Sequence, residues 1–161
     1  MKYKLFAELN GFVIYNPLLL EDYLDKNSLD KKDVFKHFTE TEHGDIITRE
    51  GIAIPIIGLP DDYYNFQIGN KTTVQNKMID SSGWIFNGQN GIVRIIGIGY
   101  FKDMSAINEI NSLNFRMEEG WKELSIISYY DDEPGFILEF EAADHKPDFS
   151  GDLETNYGFE W

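Results

Sequence analysis

The chain contains no cysteine, only half as many basic as acidic residues, and no apolar run long enough to span a bilayer. The missing cysteine excludes disulfides, thiolate metal sites and a cysteine nucleophile, and it suits a reducing compartment. The shortage of bases leaves 28 acids against 14 bases, a formal charge of −14. Such a chain is repelled by nucleic-acid backbones and by anionic lipid surfaces, so the expectation is no nucleic acid and no membrane among its partners. A secretory leader is not evident either. The opening MKYKLFAELNGFVIYNPLLL is broken by Glu8, Asn10, Asn16 and Pro17, and no small-residue cleavage pattern follows. The expected compartment is therefore the cytoplasm.

Catalytic and cofactor patterns are also scarce. In IIGIGYFKDMSAINEI, Gly97 and Gly99 lack the third glycine of a dinucleotide-binding turn, and the following helix is expected to start too late to hold a pyrophosphate. TETEHGD, residues 39–45, gathers Glu40, Glu42, His43 and Asp45 without the spacing of an EF-hand or of a helical histidine pair, and reads as a solvated loop. FSGD around Ser150 lacks the first glycine of a nucleophile elbow. Acids are so numerous that no pair stands out as a general acid and base. The expectation is a protein that is not an enzyme and that carries no cofactor or metal.

What is present is aromatic and β-rich. With 42% hydrophobic and 15% aromatic residues over 161 positions, the chain is expected to fold as one domain, residues 1–161, with a substantial core. Asn10-Gly11 suggests a hairpin between KYKLFAE and GFVIYNP. Pro17 opens a helix over PLLLEDYLDK, and a second short helix is expected from Ser28 or Asp30, with Val34, Phe35 and Phe38 inward. DIITR, IAIPII, YYNFQI, KTTVQNKMI, GWIFNG and GIVRIIGIGYF read as strands, with FNGQNG as a hairpin connection. DMSAINEINSL reads as a helix capped by Asp103. In the closing pair, WKELSIISYY and FILEFEAA, Phe136, Leu138 and Phe140 alternate with Ile137, Glu139 and Glu141, so one face is buried and the other is acidic. The fold class is α+β: a strand-rich, mainly antiparallel sheet with two or three short helices.

The acids are segregated. From Asp131 onward there are ten acids and one base, Lys146, giving −9 over the last 31 residues. The ending DHKPDFSGDLETNYGFEW interleaves those acids with rings, and LPDDYYNF and SYYDDEPG repeat the combination. Aromatic side chains anchor interfaces, and surrounding carboxylates select a basic counterpart. The candidate partner-binding residues are Asp61, Asp62, Asp131, Asp132, Glu133, Asp148, Asp152, Glu154, Tyr157, Phe159, Glu160 and Trp161. Phe136 and Phe140 belong to the core by alternation, whereas core and interface stay equally open for Tyr157, Phe159 and Trp161. A terminal segment is ordered only when it is tied down.

In their order along the chain, four segments resemble a family of bacterial immunity proteins from polymorphic toxin systems, the one catalogued as immunity protein twenty-one. They are GFVIYNPLLLEDYL, GIAIPIIGLPDDYYNFQIG, SGWIFNGQNGIVRIIGIGYFKDMSAI with its central Arg94, and GWKELSIISYYDDEPGFILEFEAAD. The stretch from Asp25 to Asp45 and the aromatic ending have no counterpart in that pattern. The resemblance implies non-catalytic, stoichiometric binding of a cognate basic toxin domain, a nuclease in many such systems, whose cleft must itself be basic. The alternative is a small-ligand-binding or regulatory α+β domain, with Trp84 and Tyr100 lining a pocket.

Overall fold

The computed structural model describes residues 3–159. Among these residues nine strands form two sheets. The five-stranded sheet has the order β1 (Tyr3–Phe6), β4 (Tyr63–Ile68), β9 (Glu133–Ala142), β8 (Trp121–Asp131) and β5 (Lys77–Asn87). The four-stranded sheet has the order β3 (Ala53–Ile57), β2 (Gly11–Tyr15), β6 (Ile92–Gly97) and β7 (Ser112–Arg116). Every pairing is antiparallel except β4 with β9. Among the described residues the α-helices are α1 (Pro17–Lys26), α2 (Phe35–Glu40) and α3 (Glu42–Arg49). The class is therefore α+β. Among the described residues, no helix is long and apolar enough to cross a membrane.

The sheets pack face to face, because alternation puts one apolar row of each strand on the same side. Phe12, Ile14, Ile54, Val93 and Ile95 of the smaller sheet meet Phe66, Trp84, Phe86, Leu124, Ile126, Phe136 and Leu138 of the larger. The outer face of the smaller sheet carries Val13, Tyr15, Ala53 and Ile96, and the helices cover it with Leu20, Leu24, Phe38 and Ile47. On the larger sheet's outer face Ile127, Tyr129 and Ile137 are buried, and Val74 packs against them.

Several local expectations change. The first two strands are not a hairpin: β1 pairs with β4 and β2 with β3 and β6, so the corner at Leu9 and Asn10, both with positive φ, carries the chain between sheets. FNGQNG makes the same kind of passage, since β5 and β6 lie in different sheets. KTTVQNKMI is not one strand; residues 71–73 form a 3-10 turn and β5 begins at Lys77. TETEHGD and DIITR are largely helical, not loop and strand. The Thr41 hydroxyl accepts the His43 N–H to start α3, and Glu42 and Asp45 in its first turn suit the helix dipole. DMSAINEINSL forms no α-helix. It begins with the 3-10 turn 104–106 and ends in β7, which begins at Ser112.

Gly97 and Gly99 have a packing role. A Cβ on Gly97 would lie 2.8 Å from Glu8 Cβ and 2.9 Å from the Phe6 carbonyl oxygen, so the β1–β2 corner can seat only on glycine there.

Candidate acidic interface

The parallel register of β4 against β9 sets Asn65 opposite Gly135 and Phe66 opposite Phe136. The residues that precede these strands consequently emerge at one end of the larger sheet. Asp61 and Asp62 enter β4 there, and Asp131, Asp132 and Glu133 form the turn from β8 to β9, with Asp132 at φ 60. Neighbouring strands are about 5 Å apart, so five carboxylates share a narrow edge.

Three of these acids are fixed by hydrogen bonds. Asp61 Oδ1 accepts the Asn10 N–H at 2.9 Å, and Asp62 Oδ1 accepts the Tyr63 N–H at 2.7 Å. Glu133 is held on both oxygens, accepting from Lys4 Nζ at 2.8 Å and from Asn65 Nδ2 at 2.9 Å. Asp131 and Asp132 are exposed, and no ion pair involves them among the described residues. Among the described residues Lys4 is bound into this cluster, and Lys77, the first residue of β5, stands opposite Tyr129 near the same end of the sheet.

Exposed rings accompany the acids. Each Tyr-Tyr pair splits across its sheet: Tyr64 and Tyr129 are buried, while Tyr63 is 56% exposed and Tyr130 45%. Phe6 supports Tyr63 edge-on, with centroids 5.1 Å apart. Tyr63, Phe6 and Tyr100 line a depression of about 430 Å³ together with Ile110, which is 91% exposed. The acids also reach inward. Burial first, then Asp62 and Asp61, push the Tyr64 phenol well above its ordinary value, and its hydroxyl donates to the Pro60 carbonyl at 2.7 Å.

The C-terminal segment differs from the expectation. Tyr157 and Phe159 are not surface anchors: they are 4% and 6% exposed, and both stand edge-on to Phe136. Rings this large gain more from filling the space between the sheets than from facing water. The segment runs along β5. Ser150 N–H donates to the Gly83 carbonyl, Phe149 packs on Trp84, Thr155 meets Ser81, and the Ser128 hydroxyl holds the Tyr157 carbonyl. This covers an edge strand that would otherwise offer free backbone groups. Glu160 and Trp161 lie outside the described residues.

The tail acids are not gathered with the others. Asp148 lines a depression with Glu123, Glu141 and Ser150. Glu123 is eight strand positions from Asp131, so this depression lies about 26 Å from the β8–β9 turn. Asp152 and Glu154 are exposed between the two, where Asp152 Oδ1 accepts the Glu154 N–H. Of the twelve candidates, Asp61, Asp62, Asp131, Asp132 and Glu133 form one constellation. Sequence reasoning missed Phe6, which lies in the lysine-bearing opening strand, and Ile110, which follows Glu109 in a stretch read as a helix. Trp84 and Tyr100 line separate depressions.

Comparison with solved structures gives a fold relative. The chain is similar in fold to ComJ from Bacillus subtilis, whose crystal structure is described as that of an inhibitor of the DNA-degrading activity of NucA. The TM-score is 0.50 at 13% identity, over 89% of this chain and 96% of that one. No family model matches the chain, and no curated protein matches it in sequence. At that identity the likeness is one of fold.

Proposed function

We propose that this chain is an immunity protein: a single-domain, cytoplasmic, non-catalytic inhibitor that binds a cognate basic toxin domain, a nuclease, in a stoichiometric complex. The observation that carries this reading is the acidic, ring-bearing end of the larger sheet. Its five carboxylates stand beside exposed Tyr63 and Tyr130 and the depression that holds Ile110. A nuclease cleft is basic because it must attract phosphates, so clustered carboxylates are its electrostatic complement and speed encounter. Exposed rings beside them supply the slow-dissociating contacts. The fold likeness to ComJ, an inhibitor of a DNA-degrading activity, supports the reading, as does the overall charge of −14.

The contact surface proposed is Asp61, Asp62, Tyr63, Tyr130, Asp131, Asp132 and Glu133, with Ile110 at its margin. Asp148, Asp152 and Glu154 add to the long-range field without touching the partner. The test is a titration of the purified chain into the basic toxin domain encoded beside it. DNA or RNA cleavage is expected to fall linearly and to stop near one equivalent, with no turnover of the inhibitor. Residual cleavage at several equivalents would contradict stoichiometric inhibition.

A further inference from the structure

A second feature lies on the outer face of the smaller sheet, beside the helical layer. Arg94 stands on the outer face of the smaller sheet, and its cross-strand neighbours are Tyr15 on one side and Asn114 on the other. Both are uncharged. In a chain with twice as many acids as bases, no carboxylate forms an ion pair with Arg94 among the described residues.

The guanidinium is nonetheless held in place. Its Nε donates to Asn114 Oδ1 at 2.6 Å, and Asn114 is oriented in turn by donating to Ser112 Oγ at 2.9 Å. Its Cζ stands 5.9 Å from the centroid of the Tyr15 ring, and Nη1 makes a long 3.5 Å contact with the Tyr15 hydroxyl. Tyr15 is fully buried; burial raises its phenol above the ordinary value and Arg94 partly counters that. The group is thus a positioned, partly desolvated cation with N–H donors left over.

Those donors border a pocket of about 310 Å³ between α1 and the sheet. Pro17 and Met104 form its apolar wall, with Leu20 and Leu24 buried just beneath, and Glu21 and Lys31 stand at its rim. Lys31 is occupied, at 3.0 Å from Asp25 and 3.7 Å from Glu21. On its other side Arg94 borders a wider depression of about 680 Å³, shared with Glu109 and Arg116. We propose that the Arg94 pocket binds a small monocarboxylate with a branched or short-chain apolar body, its carboxylate on the guanidinium and its body against Pro17 and Met104, over the buried Leu20 and Leu24.

The chemistry narrows the class. A guanidinium fork accepts a carboxylate on two parallel N–H donors, so both charge and planarity are matched. The apolar wall excludes a purely polar anion, and Glu21 disfavours a dianion such as phosphate. A pocket of this volume sits at the small end of ligand sites. This site is independent of the acidic interface, which lies on the larger sheet.

The probe is 4-methylpentanoate, titrated into the intact chain while the methyl resonances of Leu20, Leu24 and Met104 are followed by NMR. Saturable shifts confined to those methyls are expected. The neutral isostere 4-methylpentanamide is expected to bind at least about tenfold more weakly, and inorganic phosphate to move none of them. Arg94→Gln is expected to abolish the preference for the acid over the amide. The comparison of acid with amide on the unaltered chain needs no variant to fold. Equal binding of acid and amide, an equal response to phosphate, or no saturable shift would each overturn the proposal.

Discussion

The Ser128 hydroxyl donates to the Tyr157 carbonyl at 2.7 Å, in the interior, between residues 29 apart in the chain. Ser128 is fully buried, so this bond is shielded from water and fixes the C-terminal segment to β8 where Tyr157 enters the core. Ser128 also accepts the Ile79 N–H at 3.2 Å, so one hydroxyl joins tail, β8 and β5.

Removing that hydroxyl leaves the Tyr157 carbonyl and the Ile79 N–H without it. Ser128→Ala is expected to destabilise the fold by about 1–3 kcal/mol in urea unfolding. Amide exchange at residues 155–159 is expected to rise before that of β8. Loss of stability with unchanged tail protection would place the effect elsewhere.

Tyr157 itself makes a sharper case. Among the described residues its buried hydroxyl has no partner at full hydrogen-bond geometry, and the Ser81 hydroxyl close to it is already engaged by Trp84 Nε1 and Thr155. Tyr157→Phe is therefore expected to be neutral or to stabilise by up to about 1 kcal/mol at neutral pH. Burial, opposed in part by Ser81 and reinforced by Asp152, raises the Tyr157 phenol above its ordinary value. A raised tyrosine contributes stability that is complete below the unfolded value, near pH 10, and is lost as pH climbs toward the folded one. Urea midpoints of the variant are thus expected to fall less steeply above about pH 10. Tyr64, raised in the same direction, keeps part of the fall in place.

Tyr63 is the ring the proposed interface leans on. Tyr63→Ala is expected to raise the dissociation rate from the toxin domain by about tenfold or more, with little change in the association rate. Phe159→Ala, by contrast, opens a cavity among Phe136 and Tyr64 and is expected to cost about 3–5 kcal/mol of stability. A tight complex that survives Tyr63→Ala unchanged would remove the ring from the interface.

Much of this arrangement was legible from residues close in sequence. Pro17 after Asn16 marked the start of α1, where the Asn16 side chain accepts from the Leu18 and Leu19 N–H groups. Alternation in FILEFEAA placed Phe136 and Leu138 inside, in the core cluster, with Glu139 and Glu141 facing out. What failed was long-range. A turn pair such as Asn10-Gly11 looks the same whether it closes a hairpin or turns a corner between sheets; only the packing of Gly97 against that corner decides. DIITR carries β-branched residues but also a cap one turn upstream, and the cap together with burial of Ile47 prevailed. The tail rings read equally well as surface or core, because burial of Tyr157 and Phe159 depends on a gap left by strands distant in sequence. Grouping Asp61 with Asp131 required the parallel β4–β9 register, which no local pattern encodes.

The association rate with the basic toxin domain, followed by stopped flow across a salt series, tests the central claim most directly. Neutralising Asp61, Asp62, Asp131 and Asp132 to Asn is expected to slow association by about tenfold or more and to flatten its salt dependence. The same number of neutralised acids at Glu123, Asp148, Asp152 and Glu154 is expected to slow it by no more than about two- to threefold. Equal slowing by the two sets, or none by the first, would contradict an interface at the β4–β9 end of the sheet.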